Sequence, residues 1–339
     1  MKRIAVEEHF FTQDYVDYMR SPKGSEKITP IKDSNGKEYE LLDACVPVPG
    51  EMETLLDIGK GRLQAMDEVG IDVQVLSFSS PGVEAMDIED AKIMARKVND
   101  ELAEKISKHS DRFAGFATIA SHEPESAALE LERAVKQLGL KGVKINSHVQ
   151  GQYLDAPKFR PIFEMAQKLD VPVYLHPRSP SPDIIQPYLT YPVLVSQVFG
   201  FGAETSLHAM RLICSGLFDE YPKLKLILGH LGETLPFILW RLKDHRWDKV
   251  DVSNPLGPHT KEELSYYVKN NFYVTTSGNF FVPALLCTIM ALGADRILFA
   301  VDSPFESSKA AVAFIESAPI SDADKEKIFH LNAEKLLKL

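Results

Sequence analysis

The sequence predicts an α/β fold, a (β/α)8 TIM barrel with insertions after strands 1 and 5. Three observations point there. Short β-rich runs alternate with amphipathic helical runs, the mark of βα units and a parallel sheet. Eight such runs occur in one chain of 339 residues, and eight repeats favour a barrel over an open doubly wound sheet. No G-x-G-x-x-G follows the first strand and no G-x-x-x-x-G-K-[ST] loop occurs, so the dinucleotide and phosphate-loop fingerprints are missing. Barrels run long as one unit, so residues 1–339 are read as a single barrel domain.

The strands fall at 3–8, 73–78, 113–119, 142–146, 172–176, 225–228, 272–275 and 297–301. Helices are expected over 91–107, 125–138, 158–168, 233–244 and 282–292. Pro124 suits the first turn of the second helix, and Gly139 follows it as a stop. Residues 322–339 read as two short helices, with Asn332 starting the last. Two segments break the repeat. Residues 11–57 are long and polar, and residues 179–203 are rich in Pro, Tyr and Ser. Both follow strand ends on one face of the barrel, where long loops form lids, pocket walls or subunit contacts. Their aromatic residues, Phe10, Phe11, Tyr15 and Tyr18, then Tyr188, Tyr191, Phe199 and Phe201, favour a wall or a contact over plain surface.

Hydrophobic residues make up 45% and charged residues 25% of the chain, ordinary values for a globular protein. The net charge of −10 argues against nucleic acid and anionic membrane as partners. It leaves a small anionic substrate open, since a local cation overrides the global field. Cys45, Cys214 and Cys287 are scattered and in no metal spacing, which suits a reducing compartment. The first apolar run is too short for a secretory leader and no run approaches a membrane span. The cytoplasm is the expected location.

Ligand-type residues collect at strand ends. Glu7 and His9 end the run Ile4-Ala5-Val6-Glu7-Glu8-His9-Phe10, and positions two apart on a strand share a face. Glu8 points the other way, toward an outer helix. His176 closes the fifth strand, His230 the sixth and Asp302 the eighth. A lone histidine is more often structural, but four strands delivering such residues to one mouth build a metal site. Glu233, a few residues past His230, can orient that imidazole or serve a helix N-terminus. Arg241, further along, can meet a carboxylate or lie on the surface. An Asp ending a buried strand is costly unless paired or metal-bound. Asn146 and His148 end the fourth strand and Ser77-Phe78-Ser79-Ser80-Pro81 the second. These are candidate contacts or plain turn formers.

Glu7-x-His9, His176-Pro177, Gly229-His230-x-Gly-Glu233 and Asp302-Ser-Pro-Phe-Glu306 resemble the amidohydrolase-related metal-dependent decarboxylases over essentially the whole chain. The opening Glu-x-His resembles the hydroxybenzoate (γ-resorcylate) branch, whereas the semialdehyde branch commonly opens with His-x-His. The resemblance implies that Glu7, His9, His176 and Asp302 bind one divalent metal ion, Mn²⁺ or Zn²⁺. It implies that His230 and Glu233 are a catalytic pair beside Asp302, and that Arg241 and Phe305 line the substrate site. Relatives with two metals often carry a modified lysine ending strand four. Here Asn146 takes that place after Lys144-Ile145, which argues for one metal. The implied reaction is non-oxidative decarboxylation of an ortho-hydroxy aromatic carboxylate of the dihydroxybenzoate type. Either Asp302 or His230 delivers the proton. A metal-dependent hydrolase of a lactone or amide needs the same ligands and is the alternative. A homodimer or homotetramer is expected by the same likeness.

Overall fold

The computed structural model describes residues 1–25, 31–32, 35–36, 38–39, 50–243 and 260–339. Cys45 and most of the expected first insertion lie outside them. Eight parallel strands stand where the sequence places them. They are β1 (Ile4–Phe10), β2 (Val73–Phe78), β3 (Phe113–Gly115), β4 (Val143–Asn146), β5 (Val173–His176), β6 (Leu226–Leu228), β7 (Phe272–Thr275) and β8 (Ile297–Leu298). Successive strands pair within two sheets, β1 to β3 and β4 to β8.

Hydrogen bonds join the two sheets at both edges. Ala117 N donates to Gly142 O at 2.8 Å and Lys144 N to Ala117 O at 3.1 Å. At the other edge Val6 N donates to Phe299 O at 3.0 Å, Asp302 N to Glu7 O at 3.0 Å and His9 N to Ser303 O at 2.8 Å. Each strand therefore has a partner on both sides. This is an α/β barrel.

The interior is filled rather than open. Ile4, Val6, Val75, Phe116, Tyr174, Ile227, Tyr273 and Leu298 form one buried cluster inside the ring. A larger cluster packs the outer faces of the strands against the helices. Burying each such side chain contributes about 1.5–3 kcal/mol.

Alternation along β1 changes phase. Its pairing with β2 slips between Ala5 and Glu8, so Val6 packs inward with the barrel plug while Glu7 and His9 also face the interior. A bulge re-aims side chains in this way. Glu8 is turned outward but stays buried. It accepts from Val301 N at 3.1 Å and from Gln74 Nε2 at 3.0 Å. The expected outer helix is Lys60–Val69, whose Arg62 reaches this group through Gln74 Oε1 at 3.3 Å.

Most expected helices appear with small boundary shifts, as Ile88–Lys108, Pro124–Lys136, Arg160–Leu169 and Val282–Leu292. One expectation fails. The helix over 233–244 is broken into Leu235–Ile238 and a short turn, Arg241–Lys243, and residue 244 lies outside the described residues. The start of this helix is delayed to Leu235 because His230, Leu231 and Glu233 all sit at positive φ. Asn332 starts the last helix as expected, but its side chain does not cap it. Asp322–Glu326 runs through a wide turn, Lys327–Leu331, into Asn332–Leu337. The Asn332 amide instead donates to Ala294 O and Ile297 O, both at 2.8 Å.

Both insertions reach the mouth. Glu51 comes from the first, and residues 197–203 from the second and the start of helix Gly200–Cys214. The aromatic residues divide differently from expectation. Phe10, Phe11 and Tyr15 are core, packed edge-to-face on Phe78. Phe199 and Phe201 line the mouth, and Tyr191 is exposed.

Candidate metal centre and catalytic pair

Glu7, His9, His176 and Asp302 each offer a ligand atom, and the four atoms lie within 4.8 Å of one another. His9 Nε2 stands 2.8 Å from Asp302 Oδ1, and His176 Nε2 stands 3.4 Å from Glu7 Oε1. Glu7 Oε1 and His9 Nε2 are buried and have no aligned hydrogen bond. Buried orphan lone pairs converging on one point are costly without a cation between them. Two carboxylates and two imidazoles suit a divalent ion. The cluster can hold one metal ion.

The other Glu7 oxygen is caged. Oε2 accepts from Tyr174 OH, from Ser277 Oγ and, at 3.0 Å, from Thr275 Oγ1. All four groups are buried, so the carboxylate is fixed with Oε1 turned to the cluster. Burial alone would raise the Glu7 pKa. The His176 hydrogen bond and the His230 charge outweigh it and hold the group at about 2. His9 is pushed below its ordinary value by burial and by the Lys144 charge. His176 is lowered by the same two causes to about 3. Both rings are therefore neutral at pH 7, the state that binds a cation.

Outer contacts aim the imidazoles. Lys144 Nζ lies 3.1 Å from His9 Nδ1 and donates to Phe78 O at 2.7 Å. Arg62 Nη2 donates to His9 O at 2.7 Å. Ser80 Oγ lies 3.3 Å from His176 Nδ1 and donates to Asn146 Oδ1 at 3.1 Å. The Asn146 amide in turn donates to Glu84 at 3.2 Å. Such backing groups set ring orientation and ligand basicity.

His230 faces the cluster from the wall. Its Nδ1 is 2.6 Å from Glu233 Oε1, and its Nε2 is 3.8 Å from Asp302 Oδ2. Burial would lower its pKa, but the Glu233 charge and the Asp302 contact outweigh burial and raise it well above 6.5. His230 is thus an imidazolium at neutral pH, with Nε2–H toward the cavity. Asp302 is raised by burial, yet its contacts with His230 and His9 hold it well below the usual carboxylate range.

A cavity of about 530 Å³ opens over these groups. His176, His230, Glu233, Asp302 and Phe305 line it, with Phe199, Phe201 and Asn279. That volume suits a single substituted aromatic ring. Two expected contacts are not among the lining residues. Asn146 is buried and engaged with Ser80 and Glu84. Arg241 is exposed on its turn.

The sequence reading missed Tyr174, Thr275 and Ser277 around Glu7. Tyr174 sits two residues before His176 and Thr275 two before Ser277, so strand alternation alone would have placed them on the inner face.

The amidohydrolase family pattern matches residues 46–339. The chain belongs to the amidohydrolase family. The γ-resorcylate decarboxylase of Polaromonas sp. (strain JS666 / ATCC BAA-500) is 42% identical over 346 residues, covering 99% of this chain and 98% of that protein. A 2,6-dihydroxybenzoate decarboxylase solved with 2,6-dihydroxybenzoate superposes on this amidohydrolase with a TM-score of 0.86 and 38% identity over all of both chains. The 5-carboxyvanillate decarboxylase of Novosphingobium aromaticivorans DSM 12444 was solved with manganese and 4-hydroxy-3-methoxy-5-nitrobenzoic acid. It gives a TM-score of 0.91 and 37% identity over 100% of this chain and 96% of that one.

Proposed function

We propose that this amidohydrolase is a metal-dependent, non-oxidative decarboxylase of an ortho-hydroxy aromatic carboxylate of the dihydroxybenzoate type. The observation that carries the reading is one cavity lined by His176, Asp302 and the His230–Glu233 pair, with buried Glu7 and His9 completing the four-donor cluster. Likeness to the dihydroxybenzoate and carboxyvanillate enzymes supports the reaction class.

Glu7, His9, His176 and Asp302 would hold a divalent ion, Mn²⁺ or Zn²⁺, which would supply positive charge to stabilise the substrate's oxyanions. Phe305 packs against the His9 ring, with centroids 5.4 Å apart, and gives the substrate ring an apolar wall. Glu233 keeps His230 charged, so a proton waits at Nε2. Asp302 Oδ2 is the neighbouring acceptor for relay. The ring carbon bearing the carboxylate takes that proton and a C–H bond forms. The C–C bond then breaks, its electron pair restores the aromatic ring, and CO₂ leaves. Closing the site with a large substrate ring excludes water from the pair.

The exposed side chains of Phe237, Trp240, Phe281 and Met290 support self-association into a homodimer or homotetramer. Free Cys214 and Cys287 suit the cytoplasm. No helix among the described residues is long and apolar enough to cross a membrane.

The test is CO₂ release from 2,6-dihydroxybenzoate, 2,3-dihydroxybenzoate, salicylate and 5-carboxyvanillate, with metal content measured in parallel. Release from a hydroxybenzoate that stops on chelation is expected. No release from any of the four by metal-loaded protein refutes the decarboxylase.

A further inference from the structure

Two positions without side chains hold the His230–Glu233 pair from opposite ends. Gly202 lies in helix Gly200–Cys214, just beyond the second insertion. A Cβ there would stand 2.7 Å from Glu233 Oε2. Gly278, at a φ of +59°, lies beyond the imidazole, and a Cβ there would stand 2.9 Å from His230 Cδ2. One turn on from Gly202, and on the same helix face, Ser206 Oγ accepts from Thr234 N at 3.3 Å and from Thr234 Oγ1 at 2.9 Å. The face bearing Gly202 and Ser206 therefore touches two consecutive residues of the catalytic turn.

The backbone does not require glycine at 202, which is not among the positive-φ residues. A helical glycine costs about 1 kcal/mol relative to alanine. The space it leaves is what the Glu233 carboxylate occupies. The turn needs holding, since His230, Leu231 and Glu233 all sit at positive φ, a conformation that persists only when its surroundings enforce it.

We propose that Gly202 and Ser206 are positioning residues. They form a ledge that sets the Glu233 carboxylate beneath His230 and so fixes the direction of His230 Nε2. A methyl group at 202 turns the carboxylate about its own axis, which draws Oε1 away from Nδ1. Neither residue touches the reacting atoms. The kinetic part of this inference rests on the decarboxylase reading, and the spectroscopic part does not.

The test compares Gly202→Ala, Ser206→Ala, Ser206→Thr, Glu233→Gln and the double variant Gly202→Ala/Glu233→Gln. Gly202→Ala should fold with Tm at or above wild type and bind the same amount of metal. Its kcat should fall by about tenfold or more, the loss of one charge-assisted hydrogen bond. In the Glu233→Gln background the same change should add nothing, because the group it acts through is gone. Ser206→Ala should lower kcat and Ser206→Thr should restore it. Proton NMR reads the pair without turnover. The downfield Nδ1–H signal of the His230–Glu233 hydrogen bond should be lost in Glu233→Gln and displaced in Gly202→Ala. If the wild type proves inactive on hydroxybenzoates, this signal alone decides. Wild-type kcat and an unmoved signal in Gly202→Ala overturn the proposal. An equal fractional loss in both backgrounds overturns it as well.

Discussion

Replacing Tyr174 with Phe removes one oxygen atom from beneath the cavity. That oxygen is one of three hydroxyls donating to Glu7 Oε2. A hydrogen bond to a charged acceptor is worth about 1.5–3 kcal/mol. Thr275 and Ser277 remain and take up part of the loss, so the lower half of that range applies. At about 1.4 kcal/mol per tenfold, the apparent metal Kd should rise by about tenfold. The ring itself should stay in place, packed on Phe116 with centroids 5.9 Å apart. The same bond is present without the ion, so the Tm of metal-free protein should fall as well. Glu7 begins at a pKa of about 2, so losing one donor leaves it ionised at pH 7. The effect is one of aim and affinity rather than of protonation. Competition against a chelator of known affinity, at fixed pH, measures it. A Tyr174→Phe protein with wild-type metal affinity would refute the claim that the hydroxyl cage aims Oε1.

Asp302→Asn should keep some metal through Glu7, His9 and His176 yet abolish CO₂ release. An active Asn variant, assayed with its metal content known, would remove Asp302 from the obligatory proton path. His208 is fully buried, and burial followed by the His148 charge lowers its pKa to about 3. A depressed folded pKa gives stability that is whole above the unfolded value of about 6.5 and is lost as pH falls toward 3. Denaturant unfolding between pH 7 and pH 4 should show wild-type stability falling more steeply than that of His208→Gln, and parallel slopes would contradict this.

The strand ends were the readable part. Each apolar run is short and ends abruptly, so alternation and polarity brought Glu7, His9, His176, His230 and Asp302 to one mouth, and the family resemblance singled out the four ligands. The slip on β1 was not readable. Nothing in Ile4-Ala5-Val6-Glu7 announces that two neighbours face inward, because a bulge is set by pairing with β2 and β8. The same holds for the turn after His230. A helical pattern over 233–244 is present in the sequence, but positive φ at His230, Leu231 and Glu233 delays the helix to Leu235. Asn146 and Arg241 failed to appear at the cavity for different reasons. Asn146 found better partners in Ser80 and Glu84, and Arg241 lies past the break, where the periodicity used to aim it no longer applies. Gly202 was invisible to pattern reading, since its meaning is the room it leaves for a residue on another element.

The bonds that join β8 to β1 run directly beside the metal donors, with Asp302 N on Glu7 O and His9 N on Ser303 O. The clasp of the barrel and the ion site are thus one object. As the chain is synthesised, Glu7 and His9 emerge with the first strand, and one edge of that strand waits unpaired until the last strand arrives. A complete donor set exists only after the ring has shut. Ion capture is therefore a late event that locks the closed ring and gives no help to its open precursors.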